Sequence, residues 1–326
     1  MKAIQIEQTG DTDVLEYVDI EQPSPDKGQV LIKTSTIGVT FGDIMVQHGV
    51  YPIVPPLPAT LGFECSGIVE SVGEDVSGIE PGQSVAVLGT MGCYAEYVVA
   101  DKAMVIPVPD TMDKDIVAAF PITYLTAYHL LHTMGRVKPE QTVLMYGAAG
   151  GVGTAVIQLA RLANVNVIGL TSSDDKASYA KQQGANHVIN YKTEDVVQRV
   201  KEITGDKGVN LVLNSLAGDT FGRDFDTLAM MGQIIWFGFA AGSPQANLTE
   251  LLGNGFMKSA GIRTFTLYNI FEMPELFTDS MKILIQYLKE GKIKPHIHEK
   301  IPLSEAARAH QLMEQSAVMG RLLLNP

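Results

Sequence analysis

The chain has 326 residues, enough for about two domains that each bury a core. Apolar residues make up 46% and charged residues 18%, which excludes disorder as the main state. With 24 basic against 36 acidic side chains the net charge is −12, which argues against nucleic acid or an anionic membrane as the main partner but leaves room for a local basic pocket.

From the N-terminus to about residue 120, short apolar runs alternate with turn residues: VLIKTSTIGV, GIVESVG, SVAVLG and YAEYVVA. Pro52, Pro55, Pro56 and Pro58 break up one long loop. This pattern predicts a β-rich module. AAFPITYLTAYHLLHTMG then has helical spacing and stops at Gly135. Next, strands and helices alternate. TVLMY, VNVIGL, HVINY, VNLVLN and QIIWFG read as strands; TAVIQLARLA, DKASYAKQQG, DVVQRVKEIT and TFGRDFDTLAMM read as helices between them. Strict alternation predicts a parallel, doubly wound α/β sheet. FTDSMKILIQYLKEG and SEAARAHQLMEQ are amphipathic helices, and RLLL is a strand-like end. The expected layout is a discontinuous first domain, 1–120 and 265–326, around a nucleotide-binding domain, 121–264. The uncharged stretch 142–160 is long enough to imitate a membrane span, but its clustered glycines suit a strand, a turn and a helix.

That stretch carries the clearest chemical signal. Gly147, Gly150, Gly151, Val152 and Gly153 lie between a predicted strand and a predicted helix. Gly147 lets the strand turn, Gly150 or Gly151 lets backbone approach a pyrophosphate, and Gly153 lets the helix pack closely on the strand. The free N–H groups of the helix start then face the phosphates. The second strand ends in Thr171 and Ser172, without the carboxylate that an NAD site uses on the ribose 2′-OH. Small hydroxyls there, with Lys176 one turn on, suit a 2′-phosphate, so NADPH is the expected cofactor. Asp174 and Asp175 speak against this and are expected to cap the next helix and face solvent.

Two cysteines, Cys65 and Cys93, cannot form a disulfide framework or a four-thiolate zinc site, and the N-terminus lacks a signal pattern, so a reducing cytoplasm is the expected compartment. His129 with His132, and His296 with His298, share faces but lack an obvious third ligand.

The stretches VLIKTSTIGVTFGD, LGFECSGIVESVGEDV, PGQSVAV, AAFPITYLTAYHLL, YGAAGGVGTAVIQLA, GANHVINY and GRLLLNP resemble the medium-chain dehydrogenase/reductase superfamily, most nearly its zinc-free quinone oxidoreductase branch. The resemblance covers essentially the whole chain. It implies a GroES-like β-rich catalytic domain beside a Rossmann nucleotide domain, with the nicotinamide between them. Zinc-dependent relatives carry Gly-His-Glu where this chain has Gly62-Phe63-Glu64, and a Cys in the stretch that here reads Gly38-Val39-Thr40-Phe41-Gly42-Asp43. No metal is therefore expected. By the resemblance, Thr126 and Phe237-Gly238-Phe239 line the nicotinamide slot, and Asn214 and Ser215 lie near the ribose. Tyr191 helps enclose the adenosine phosphate, and Arg321 is a candidate cofactor contact. Thr40, Asp43 and Tyr51 are the candidate catalytic residues; the quinone reductases usually have Asn at the Thr40 position. The implied reaction is hydride transfer from NADPH to a quinone. The alternatives are reduction of an activated carbon–carbon double bond, as in 2-enoyl or alkenal reductases, and NADPH binding by a sensor with little turnover. A homodimer through the QIIWFGFAAG and SAGIRTFTLY segments is the expected assembly, with a small-molecule quinone or enone as partner.

Overall fold

The apolar runs of the N-terminal third become strands β1 (Lys2–Ile6), β2 (Glu16–Asp19), β3 (Gln29–Gly38), β4 (Ala59–Thr60), β5 (Glu64–Val72), β6 (Ser84–Leu88), β7 (Tyr97–Asp101) and β8 (Val105–Pro107) in the computed structural model, which describes residues 1–89 and 91–326. Helix α1 (Phe41–Gln47) follows β3, and α2 (Lys114–Ala119) closes the run. After α3 (Pro121–Tyr128) a π-helical turn (His129–Met134) leads to Gly135. The alternating region gives β9 (Thr142–Met145), α4 (Gly151–Leu162), β10 (Asn166–Thr171), α5 (Asp174–Gln183), β11 (His187–Asn190), α6 (Val196–Thr204), β12 (Val209–Asn214), α7 (Phe221–Thr227), β13 (Leu228–Trp236), α8 (Leu248–Asn254) and β14 (Gly261–Thr264). Helices α9 (Tyr268–Phe271) and α10 (Pro274–Lys289) come next, then β15 (Ile297–Pro302), α11 (Ala306–Glu314) and β16 (Arg321–Asn325).

Two units result: Met1–Ile122 with Pro295–Pro326, and Thr123–Lys294. The chain thus returns to the first unit at 295, not at 265 as the sequence suggests. The reason is that α10 buries Phe277, Ser280, Met281 and Leu284, and Ser280 lies 3.2 Å from the buried His129 ring. Gln158 of α4 marks both ends of the second unit. Its Oε1 accepts the Tyr124 hydroxyl and the Lys294 amide, each at 2.8 Å, and its Nε2 donates to Lys294 O and Gln183 Oε1, each at 2.9 Å.

In the first unit the strands run β15-β16-β3-β5-β6-β8, with β7 also on β3, and a smaller sheet runs β2-β1-β4. Leu323 of β16 pairs with Gly38 of β3, so the C-terminus completes the sheet begun at the N-terminus. Ile4, Ile32, Ile37, Leu61, Cys65, Val87, Cys93, Tyr94, Leu322 and Leu324 fill its core.

The second unit is a parallel sheet in the order β11-β10-β9-β12-β13-β14. The strand order reverses between β9 and β12, the crevice where open α/β sheets bind ligands at their strand C-termini. Helix stops follow the sequence: α5 and α6 end at Gly184 and Gly205, with φ of 111° and 57°. One expectation fails. Leu228–Met231 continue no helix; they open β13, and the register on β12 jumps from Val209↔Leu228 to Leu211↔Gln233. Met230 and Met231 bulge outward and are exposed, so their apolar character imitates a buried helical face that does not exist. Among the described residues, no helix is long and apolar enough to cross a membrane.

Candidate cofactor and substrate site

The glycine loop has the geometry its sequence implies. Gly147 turns at φ 60°, in the left-handed region. A Cβ on Gly153 would fall 2.6 and 2.7 Å from Cα and C of Ala148, and closer still to Gly147 O. Only glycine lets α4 sit this near the loop. Gly150 is the helix N-cap and supplies no side-chain cap, so Gly151, Val152 and Gly153 open α4 with backbone N–H groups that no capping side chain takes.

Beside it, at the end of β10, Thr171 is buried and its hydroxyl donates to Ser173 O at 3.4 Å. Lys176 Nζ reaches Ser172 Oγ at 3.5 Å, and burial lowers the Lys176 pKa. The cap of α5 is Ser173, which accepts Lys176 N; this corrects the capping role expected of Asp174 and Asp175, which lie exposed in the first turn. The Tyr191 amide donates to Thr171 O at 3.1 Å, and Lys192 lies over the Tyr191 ring at 5.7 Å.

The ends of β12 and β13 are joined by backbone. Phe237 N donates to Asn214 O at 3.0 Å, Ala240 N to Ser215 O at 3.2 Å and Ala241 N to Leu216 O at 2.8 Å. A Cβ on Gly238 would lie 2.6 Å from Ser215 O, so this approach needs glycine. Phe239 packs edge-on against Trp236 at 4.8 Å. Asn214, the last residue of β12, is wholly buried with its amide fully engaged. Its Oδ1 accepts Leu216 N and Ala217 N, and its Nδ2 donates to Thr220 and Asp224. Thr126 is buried on α3. Gly147, Gly150, Thr171, Ser172, Tyr191, Ser215 and Phe237 thus gather along the C-terminal edge of one sheet.

In the first unit, Thr40 and Asp43 form a capping box at the start of α1. Thr40 N and Oγ1 donate to Asp43 Oδ2 at 2.7 and 2.8 Å, and Asp43 N donates back to Thr40 Oγ1 at 3.3 Å. Burial pushes the Asp43 carboxyl up to about 7. Tyr51 packs on Phe63, ring centroids 5.2 Å apart, and a Cβ on Gly42 would meet the Phe63 ring at 3.2 Å. Arg321 lies buried against Glu64 as an ion pair, with Glu64 Oε2 accepting Ile122 N at 2.9 Å. Arg321 is therefore held in the first unit's core by Glu64. Sequence reasoning could not have paired Glu64 with Arg321, because nothing local links positions so far apart.

A zinc ion does not fit these residues. Phe63 offers no donor atom, Glu64 is held by Arg321, and Cys65 and Cys93 are buried. His129 is buried against Thr133 and Ser280, its pKa lowered to about 4 by burial, while His296 and His298 are exposed. Among the described residues no three His, Cys, Asp or Glu side chains gather as a ligand set.

Comparison with known proteins agrees with this architecture. A family model described as alcohol dehydrogenase GroES-like domain matches residues 26–110, and one described as zinc-binding dehydrogenase matches 151–282. Quinone oxidoreductase 1 of Escherichia coli (strain K12) is 34% identical over 329 residues, covering 99% of this chain and 99% of its own. A crystal structure of Escherichia coli quinone oxidoreductase complexed with NADPH superposes with a TM-score of 0.96 at 32% identity, over 100% of both chains. A 2-haloacrylate reductase superposes with a TM-score of 0.85 at 32% identity, covering 100% of this chain and 99% of that one.

Proposed function

Because the chain belongs to the quinone oxidoreductase branch of the medium-chain dehydrogenase/reductase superfamily, we propose that it is an NADPH-dependent oxidoreductase that reduces a quinone. The observation that carries this is the glycine cradle, in which Gly153 leaves no room for a Cβ and α4 opens with no side-chain cap. When bound, NADPH supplies the hydride. The backbone at Gly150, Gly151, Val152 and Gly153 holds the pyrophosphate. Ser172 and Lys176 bind the 2′-phosphate, whose charge offsets the desolvation of the lysine. Tyr191 encloses the adenosine side, and Ser215, Thr126 and Phe237-Gly238-Phe239 shape the nicotinamide side.

The reaction proceeds without zinc in this reading, supported by Phe63 and by the Glu64–Arg321 pair. A quinone accepts hydride without a Lewis acid, and its reduced anion can take a proton from water. Thr40 and Asp43 hold the start of α1, and Tyr51 presents the flat face and hydroxyl for a ring-shaped acceptor. The resemblance to a 2-haloacrylate reductase supports a second reading, reduction of an activated double bond, in which carbon needs a proton and Tyr51 is the donor. A homodimer is supported by the edge strand β14, by the exposed Met230 and Met231 of its neighbour β13, and by the exposed Phe256 and Met257 just before it in sequence.

The test is initial-rate oxidation of NADPH, with NADH alongside, against 1,4-benzoquinone, 9,10-phenanthrenequinone and trans-2-hexenal, with and without a chelator. Fast NADPH loss with quinones, unchanged by chelator, is the expected result. Turnover confined to the alkenal moves the assignment to double-bond reduction. A preference for NADH refutes the roles given to Ser172 and Lys176.

A further inference from the structure

A buried polar cluster joins the ends of β9 and β12, which flank the crevice. Tyr146, directly before Gly147, donates its hydroxyl to Asp224 Oδ1 at 2.5 Å. Asn214, the last residue of β12, donates to Asp224 Oδ2 at 2.5 Å and to Thr220 Oγ1 at 2.7 Å. Arg223 donates from Nε and Nη2 to the Tyr146 hydroxyl at 3.2 and 2.9 Å and lies 5.5 Å from its ring centroid. Asp224 and Asn214 are wholly buried. An isolated carboxylate would be costly there, but both its oxygens accept a bond, one from each strand end that flanks the crevice.

Asn214 cannot rotate its amide, because Oδ1 accepts the Leu216 and Ala217 amides at 2.9 Å each. Ala217 is held at φ 58°, a left-handed conformation that strains a residue with a Cβ. Thr220 Oγ1 secures the same turn by donating to Ala217 O at 2.8 Å. The loop after β12 is thus kept in a strained shape by side chains that all lead back to Asp224.

We propose that Asp224, with Tyr146, is a positioning residue of the cofactor site: it ties the end of β9 to the end of β12 and so preforms the loop 215–220 against the glycine loop. The inference rests on the NADPH-dependent reading above. Without the tie, the loop samples shapes that do not receive cofactor, and affinity falls by the fraction of time it spends in them. A loop that is competent about one tenth of the time weakens binding about tenfold. Lys176 and Ser172 are untouched, so NADPH and NADH lose affinity by the same factor.

The test uses the full chain with Tyr146→Phe and Asp224→Asn, and with Val200→Ala as a core-cavity control in α6. Dissociation constants for NADPH and NADH come from fluorescence titration, and kcat and KM from 1,4-benzoquinone turnover. The expected result is about a tenfold rise in both dissociation constants and in the KM for NADPH, kcat within about twofold, and no change in affinity for Val200→Ala. Tyr146→Phe keeps the Asn214–Asp224 bond and carries the test if Asp224→Asn does not fold. Unchanged NADPH affinity in Tyr146→Phe overturns the positioning role while the parent reading stands, as does an equal loss in Val200→Ala. Failure of the wild-type chain to bind NADPH overturns the parent reading and the positioning role with it.

Discussion

Replacing Gly153 by Ala isolates the close packing of the glycine loop on its own helix. The new methyl group would sit 2.6 and 2.7 Å from Ala148 backbone carbons, where relaxed carbon contacts begin at about 3.5 Å. The obstructing atoms are all backbone, so no rotamer change relieves the clash, and loop and helix must part by roughly 1 Å. Overpacking of this kind costs about 1–3 kcal/mol, against a helix-propensity gain of about 1 kcal/mol for Ala over Gly. The net effect is a loss of up to about 2 kcal/mol in urea unfolding. A shift of that size also displaces the N–H groups that face the pyrophosphate, and roughly tenfold to hundredfold weaker NADPH binding follows. Gly253→Ala is the matched control: it too is helical, but no atom lies within 4 Å of its Cβ. That variant should gain about 0.5–1 kcal/mol and leave NADPH binding unchanged. If Gly153→Ala matches Gly253→Ala in stability and binds NADPH as the wild type does, the close-packing argument is wrong.

Arg321→Met leaves the wholly buried Glu64 without its counter-ion, beside an apolar side chain, so urea unfolding should show a loss of about 3–5 kcal/mol, most of it recovered by adding Glu64→Gln; a loss under about 1 kcal/mol would contradict the buried pair. Burial raises the Asp43 pKa from 3.8 to about 7, so between those values the native state holds a proton that the unfolded state has lost, and this group's contribution falls as pH rises. The wild type should therefore gain on Asp43→Asn between pH 7.5 and pH 5, by at most about 1.4 kcal/mol per pH unit; a difference independent of pH would refute the assignment. Lys176→Ala should cut kcat/KM for NADPH by about 10–100-fold while sparing NADH, since one charge-assisted hydrogen bond is at stake; equal losses with both cofactors would remove Lys176 from the 2′-phosphate site.

What the sequence made legible was local. VNLVLN is β12 residue for residue, Gly184 stops α5, and the glycine loop sits between strand and helix as its spacing requires. What stayed hidden was pairing over distance. Asp224 means nothing in sequence until β9 and β12 bring Tyr146 and Asn214 to it, and Arg321 looks like any arginine until β16 carries it to Glu64. The same limit explains Asn214: its position at a strand end suggested a ligand contact, but only the fold shows that its amide is already satisfied from within. The return of the chain at 295 was illegible for a related reason, since an amphipathic helix such as α10 states which face is buried but not against which unit.

Gln158 has a consequence for how such a chain could have been assembled. One amide grips the hydroxyl of Tyr124 and both peptide groups of Lys294, so the nucleotide unit begins and ends at a common staple. A module whose entry and exit coincide is a detour in the path of its host, and a detour can lengthen cheaply, because closing a loop costs only about 0.6 kcal/mol more for each doubling. The host strands β3 and β16 then meet as near neighbours although most of the chain lies between them. Insertions within the nucleotide unit are in this sense invisible to the sheet that receives the C-terminus, and a cassette with these two ends could be exchanged without re-registering that sheet.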